Sequence, residues 1–216
     1  MNISERLLTI CGMVEDGSKV IDVGCDHALV DIYLAKYKNV KAIAADINAN
    51  ALQGAKENIV KNDVANDIEV VQTDGLDGLD ITDSVILICG MGTSTIIEIL
   101  DRVEQLTMKE LVIQSNHDVP RLRKYLVKRG FMIADERYLV ERKKSYIIMK
   151  FVIGKAKYNR YDYYLGPILK EKSSDYLTSL LKHYQTLLEQ IPTKYFVKRK
   201  RTKDLICCIE KELEKF

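Results

Sequence analysis

The chain has 216 residues, 47% of them hydrophobic, which suffices for one full-sized core plus a small appendage or for one large domain. No apolar run is long enough to cross a bilayer, and the opening Met1-Asn2-Ile3-Ser4-Glu5-Arg6 lacks a basic stretch followed by an apolar one. A membrane span and a signal peptide are therefore not expected, and the expected compartment is the cytoplasm. Five cysteines without a Cys-x-x-Cys pair argue against a disulfide framework and a structural zinc site, and histidines scattered at 27, 117 and 183 suggest no catalytic metal.

In chain order, Ser4 is placed to cap a first helix running to about Met13, with Leu7, Leu8 and Cys11 on one face. Short β-branched runs follow at 19–24, 41–46, 68–72, 84–89 and 110–114. Helical patterns separate them near 28–37, 49–61, 94–105 and 119–129. This alternation predicts βαβ units and a parallel sheet. The fourth run is almost continuously apolar, as a strand covered on both faces must be. Two further extended stretches, 131–140 and 145–153, are separated by a link too short for a crossover helix, so they must pair antiparallel. A parallel α/β sheet finished by an antiparallel hairpin is the Rossmann-like layout of class I methyltransferases.

Composition shifts after Gly154. Residues 1–154 carry 19 basic and 23 acidic side chains, residues 155–216 carry 14 and 8. A mildly acidic body with a basic tail suits a polyanionic partner held by the tail; a lysine-rich solvated helical face is the plainer alternative. Leu165-Gly166-Pro167 marks a turn or helix start. Leu177, Leu180, Leu181, Tyr184, Leu187, Leu188 and Ile191 recur at threes and fours and predict an amphipathic helix that Pro192 ends. A second helix follows, with Phe196, Ile206, Ile209 and Leu213 as its inward positions. The expected organisation is a catalytic α/β domain over 1–154 and a small helical hairpin domain over 155–216.

In an open parallel sheet ligands bind beyond the carboxyl ends of the strands, so the loops there carry the candidate chemistry. After the first strand, Asp22-Val23-Gly24-Cys25-Asp26-His27 offers one turn glycine among acidic residues. It lacks the further glycines of a dinucleotide fingerprint and better suits S-adenosylmethionine, which carries an ammonium and a sulfonium but no phosphate. After the second, Asp46 followed by Ile47 is placed to accept both hydroxyls of an adenosine ribose, or to cap a helix. After the third, Asp74-Gly75 suits an adenine: the carboxylate accepts the exocyclic amine and the next backbone amide faces a ring nitrogen. Asp74 as a turn residue is the alternative. After the fourth, Gly90-Met91-Gly92 permits close backbone approach to a ligand, or serves packing alone, and Thr93 is placed to cap the next helix. After the fifth, the Asn116 amide both donates and accepts, the two capacities that reading an adenine edge requires; Asn116 or Asp118 is alternatively the cap of the helix that begins near Pro120.

Taken together these loops resemble those of the bacterial tRNA (adenine-22-N1)-methyltransferase family. Residues 22–27 resemble its Asp-Ile-Gly-Ser-Asp-His, Gly90-Met91-Gly92 its Gly-Met-Gly-Gly, Gln114-Ser115-Asn116 its Gln-Pro-Asn, and Leu165-Gly166-Pro167 the start of its C-terminal domain. The resemblance spans about residues 4–216. It implies a Rossmann-like catalytic domain, a coiled-coil-like C-terminal domain, S-adenosylmethionine as cofactor and adenine N1 in tRNA as target. It places Asp26 and His27 in the active-site loop, Asp46 and Asp74 in the cofactor pocket and Asn116 near the target base. Three positions depart from the pattern: Cys25 for serine, Thr93 for glycine and Ser115 for proline. The last is expected to loosen the loop that positions Asn116.

The expected catalytic residues are thus Asp26, His27 and Asn116, with Asp22, Gly24, Asp46, Ile47, Asp74, Gly75, Gly90 and Met91 around the cofactor. Adenine N1 presents an in-plane lone pair, so alignment is the main requirement and Asp26 is the candidate to stabilise the cationic product or accept its proton. Tyrosines 33, 158, 161, 163 and 164 are candidate stacking platforms or core residues. Arg121, Arg123, Lys128, Arg142, Lys143 and the run Lys198-Arg199-Lys200-Arg201 are candidate phosphate contacts, through which RNA affinity would fall steeply with salt. Competing readings are a small-molecule methyltransferase with an oligomerising hairpin, a non-catalytic RNA-binding protein on the same fold and, more distantly, a nicotinamide-dependent enzyme.

Overall fold

The computed structural model describes residues 3–216 and divides the chain into two compact units, Met1–Ala156 and Lys157–Phe216. In the first, α1 (Glu5–Cys11) begins where the Ser4 hydroxyl accepts from the Leu7 amide at 3.4 Å. It buries Ile10 and Cys11, leaves Leu8 exposed, and stops two residues short of Met13. Five parallel strands then alternate with helices: β1 (Lys19–Val23), α2 (Leu29–Lys38), β2 (Lys41–Asp46), α3 (Ala49–Lys61), β3 (Ile68–Gln72), β4 (Val85–Met91), α4 (Thr93–Asp101), β5 (Glu110–Ser115) and α5 (Val119–Lys128). The unit closes with β6 (Phe131–Glu141) and β7 (Lys144–Ile153).

The seven strands form one sheet of order β3-β2-β1-β4-β5-β7-β6, antiparallel only at β5–β7 and β7–β6. The hairpin turn is Arg142-Lys143 alone, both residues at positive φ as a two-residue turn between right-twisted strands demands. Because β1 lies between β2 and β4, successive crossovers leave it in opposite directions, and a crevice opens above its carboxyl end. Val20, Ile21, Ile86, Leu87, Ile88, Leu111, Val112 and Ile113 are fully or almost fully buried, which accounts for the unbroken apolar character of β4 and β5. The Rossmann-like α/β expectation therefore holds; β4 is longer than its apolar run by Gly90 and Met91, which extend the pairing towards Ser115.

The second unit contains two short helices, α6 (Asp162–Leu165) and α7 (Leu169–Lys172), and the antiparallel pair α8 (Ser174–Gln190) and α9 (Phe196–Leu213). Ser173 caps α8, its hydroxyl accepting from the Tyr176 amide at 3.2 Å. Ile209 is fully buried on α9, whereas Phe196, expected to point inward, is 74% exposed. It is the first residue of the helix, where the helical repeat alone overstates burial.

One expected phosphate contact is corrected. Arg123 of α5 is completely buried and its Nε donates to Glu136 Oε1 of β6 at 2.7 Å, with Glu136 equally buried. Desolvation is tolerated because each charge meets its counter-ion. Arg123→Ala strands the Glu136 carboxylate and is expected to destabilise the protein by ~3–5 kcal/mol; a urea midpoint unchanged from the native protein would contradict this.

Candidate active site

The crevice contains two cavities that share Gly24 and Met91. The first, about 480 Å³, is lined by Asp46, Ile47, Thr73, Asp74 and Gly75 beyond β2 and β3, by Ile99 of α4 and by Arg102 at its C-terminal cap. The second, about 340 Å³, is lined by Arg6, Asp22, Cys25, Asp26, His27, Cys89 and Gly90. The first lies in the size range of small-molecule pockets. At Gly24 φ is +79°, which favours glycine, and the end of the Met91 side chain lies where a Cβ would stand.

The acidic residues of the first cavity are held in place. Asp46 Oδ1 accepts from the Asn48 amide at 2.8 Å and Oδ2 from the Asp26 amide at 3.4 Å, leaving acceptor capacity on both oxygens. Asp46 does not cap α3; Asn48 does. Asp74 is clamped by Arg102, with Nη1 to Oδ2 at 2.8 Å and Nη2 to Oδ1 at 3.0 Å. That pairing holds the Asp74 carboxyl below its usual range. Arg102 carried no signal in the sequence, because a lone arginine at a helix end fits any solvated surface. Ile47 projects at the cavity mouth, 64% exposed, an uncommon setting for a large apolar side chain.

In the second cavity Asp26 and Ala28 both adopt left-handed φ, near +50°, so the loop after β1 is held in a conformation that residues with a Cβ rarely take. Asp26 is exposed, with one carboxylate oxygen 3.8 Å from His27 Nε2. The His27 carbonyl accepts from Asn58 Nδ2 at 3.1 Å, which fixes the end of the loop against α3. Beneath lie Asp22 and Asp31, both buried. Burial pushes Asp22 up to about 7, partly offset by the neighbouring Asp31 carboxyl; burial and then the Asp22 charge push Asp31 well above the carboxylate range. Cys25 is buried, and the same desolvation raises its thiol, so it packs as a small apolar residue.

A hydrogen-bonded chain supports Asn116. Arg6 Nη1 donates to Gln114 Oε1 at 3.0 Å, Gln114 Nε2 to Asn116 Oδ1 at 3.2 Å, and Asn116 Nδ2 to the Gly90 carbonyl at 2.6 Å. The pairing of β4 with β5 shifts register at Gly90, where φ is +83°, and this bulge exposes that carbonyl. Asn116 therefore does not cap α5; Asp118 stands at the cap position without a side-chain bond. Arg6 was not legible in the sequence, since 108 residues separate it from Gln114.

Two departures from the family pattern meet. The Thr93 and Ser115 hydroxyls lie 2.8 Å apart and reach the His117 carbonyl at 2.6 and 2.9 Å. Both residues are buried. The loop expected to loosen without proline is instead tied by hydrogen bonds. Thr93 does this as the first residue of α4, with Gly92 at the cap position.

Among the expected phosphate contacts, Lys128, Arg142, Lys143, Lys198, Lys200 and Arg201 are exposed, and Arg121 is exposed with Nη1 donating to Ser94 Oγ at 3.1 Å. Arg199 is turned onto the Leu188 and Ile191 carbonyls at 2.9 and 2.5 Å, closing the last turn of α8, and is corrected to a helix-capping side chain.

A sheet of this order, with its crevice opening into two cavities beyond the carboxyl ends of the strands, defines a class I methyltransferase. The profile of TrmK, tRNA (adenine(22)-N(1))-methyltransferase, matches residues 20–213, and the chain belongs to that family. It is 32% identical over 205 residues to the tRNA (adenine(22)-N(1))-methyltransferase of Bacillus subtilis, covering 88% of this chain and 86% of the relative. Among solved structures it is similar to Streptococcus pneumoniae Sp1610 in complex with S-adenosyl-L-methionine, with TM-score 0.87, 30% identity, and coverage of 98% and 100% of the two chains. It is also similar to M. capricolum TrmK in complex with S-adenosyl-homocysteine, with TM-score 0.83, 26% identity and 98% of each chain covered.

Asp22 and Asp31 bind protons more tightly folded than unfolded, so their contribution to stability is complete at pH below about 4 and declines as pH rises from there, for Asp22 until about 7. Asp31→Asn removes one of the two carboxyls, and its urea midpoint is expected to fall less between pH 5 and pH 8 than that of the native protein; equal falls would show that Asp31 is already ionised in the folded protein at pH 5. A double-mutant cycle of Thr93→Val and Ser115→Ala, read by urea unfolding, is expected to give a coupling of ~1 kcal/mol, and strict additivity would mean the two hydroxyls do not support each other.

Proposed function

We propose that the chain transfers the methyl group of S-adenosylmethionine to N1 of adenine 22 in tRNA, with the cofactor in the cavity of Asp46 and Asp74 and the target base in the cavity of Asp26. The observation that carries this reading is the meeting of the two cavities at Gly24 and Met91, where a bound sulfonium and a bound base would face one another. The cofactor, when bound, supplies an electrophilic methyl. Its adenosine fits the residues present: Asp46 keeps free acceptor sites for the ribose hydroxyls, Asp74 keeps one on each oxygen beyond its arginine clamp for the adenine amine, and Ile47 and Ile99 offer apolar surface to the adenine faces. Gly24 supplies the close backbone approach.

Adenine N1 needs no base to unmask its lone pair, so this chain's contribution is alignment and charge stabilisation. The Asn116 amide, fixed through Gln114 to Arg6 and through Gly90, retains one donor and one acceptor site for the adenine edge. The Asp26 carboxylate, held by its loop beside His27, balances the cationic ring after methylation and is the acceptor for a proton from the exocyclic amine. The exposed cations Arg121, Lys128, Arg142, Lys143, Lys198, Lys200 and Arg201 supply phosphate contacts, and the basic C-terminal unit supplies much of the tRNA affinity.

The test is transfer of label from S-adenosylmethionine to an unmodified tRNA transcript, followed by nucleoside analysis. Labelled 1-methyladenosine is expected, and changing nucleotide 22 from A to G should abolish it; label at another atom or another position refutes the assignment. In the same assay Asp26→Ala should lower turnover by about 100-fold or more while cofactor affinity stays nearly unchanged. A parallel loss of cofactor affinity would instead place Asp26 in the cofactor cavity.

A further inference from the structure

Each class I methyltransferase feature described above lies in the first unit, yet the second unit carries a cavity of its own. It measures about 230 Å³, and all of its lining residues lie between Arg160 and Leu205. Its apolar and small polar lining comes from Leu187 of α8 and from Thr202 and Leu205 of α9. Three half-buried tyrosines, Tyr161, Tyr164 and Tyr184, present ring surface to it. Three exposed cations, Arg160, Lys198 and Arg201, complete it.

The cations are not accounted for by the fold. None of the three forms an ion pair among the described residues, while Asp162 and Glu212 of the same unit are paired with Lys170 and Lys215. Their neighbour Arg199 is spent on the carbonyls that end α8, so the basic run divides into one structural arginine and side chains left for something else. Lys198 and Arg201 stand three apart on α9 and so share a face. They also lie in its first two turns, where the helix dipole disfavours positive charge; the first turn holds no acidic residue and no side-chain cap. The arrangement costs stability in the free protein, and an anion seated there relieves it. Arg160 is stacked towards Tyr161, its Cζ 5.9 Å from the ring centre, so that cationic and aromatic surface adjoin.

Flat aromatic surface beside cations on an apolar floor is the chemistry that holds an unstacked base together with its phosphate. We propose that the cavity of the C-terminal unit binds one unpaired nucleotide of the tRNA substrate, the base against the tyrosines and the phosphate against Lys198 and Arg201. The inference rests on tRNA being the substrate and adds a second point of recognition, formed wholly by the helical unit.

The experiment uses the full chain, an unmodified tRNA transcript, and heparin as a polyanion without bases. Lys198→Ala combined with Arg201→Ala is expected to weaken tRNA and heparin binding at least tenfold while cofactor affinity, read by direct titration, stays as it was. Tyr161→Leu keeps apolar bulk and removes the ring; it should weaken tRNA binding several-fold and leave heparin binding as it was. Equal weakening of both ligands by Tyr161→Leu, or of neither, would reduce the cavity to a charged surface and overturn the proposal. Because the two cations are exposed, the double variant tests the pocket even if the tyrosine change perturbs folding. Unchanged tRNA binding in the double variant, with methylation intact, overturns the pocket alone. Lost binding of anionic lipid vesicles beside unchanged tRNA binding would assign the cavity to a headgroup and overturn it equally. No tRNA binding by the native protein would overturn the functional reading and the pocket with it.

Discussion

The pairing of β1 with β4 is the constraint on which the site depends. Parallel strands need long crossovers, and placing β1 between β2 and β4 sends those crossovers away from one another. The carboxyl ends of the two strands are therefore left uncovered side by side. Gly24 ends one and Gly90-Met91 ends the other, and the Met91 side chain occupies the space that a Cβ on residue 24 would take. Gly24 and Met91 accordingly line both cavities of the crevice.

Around this point the protein holds polar groups where desolvation would otherwise disfavour them. Asp22 and Asp31 share a buried environment that raises both carboxyls, Arg123 and Glu136 neutralise each other in the interior, and Thr93 and Ser115 tie the loop after β5 to the start of α4. Asp26, Asp46 and Asn116 remain accessible because their backbone or amide neighbours, and not burial, hold them. Under the proposed function, a site that accepts a cationic cofactor and generates a cationic product is surrounded by acceptors already fixed in position, which is the condition for electrostatic stabilisation without reorganisation.

The helical unit illustrates how charge patterns mislead when read without contacts. Lys198, Arg199, Lys200 and Arg201 look equivalent in sequence. In the fold Arg199 satisfies the last carbonyls of α8, while Lys198 and Arg201 edge a cavity containing three tyrosines. Likewise Arg123 is indistinguishable in sequence from Arg121, yet one is fully buried and the other exposed, because a shift of two residues along a helix carries a side chain to the opposite side.

The sequence by itself determined the strand and helix alternation, the closing hairpin and the residues at the strand ends, since period-two and period-3.6 burial is written locally and turn glycines mark where strands stop. The loops after β1, β2, β3 and β4 were legible for the same reason, as was the family, whose motifs lie in those loops. Only the tertiary structure decided which side chains converge. Arg6 reaches Gln114 across 108 residues, Arg102 clamps Asp74, and Ser115 in place of proline finds Thr93 in place of glycine. Such contacts depend on how distant elements pack, and packing distance leaves no periodic trace in the chain.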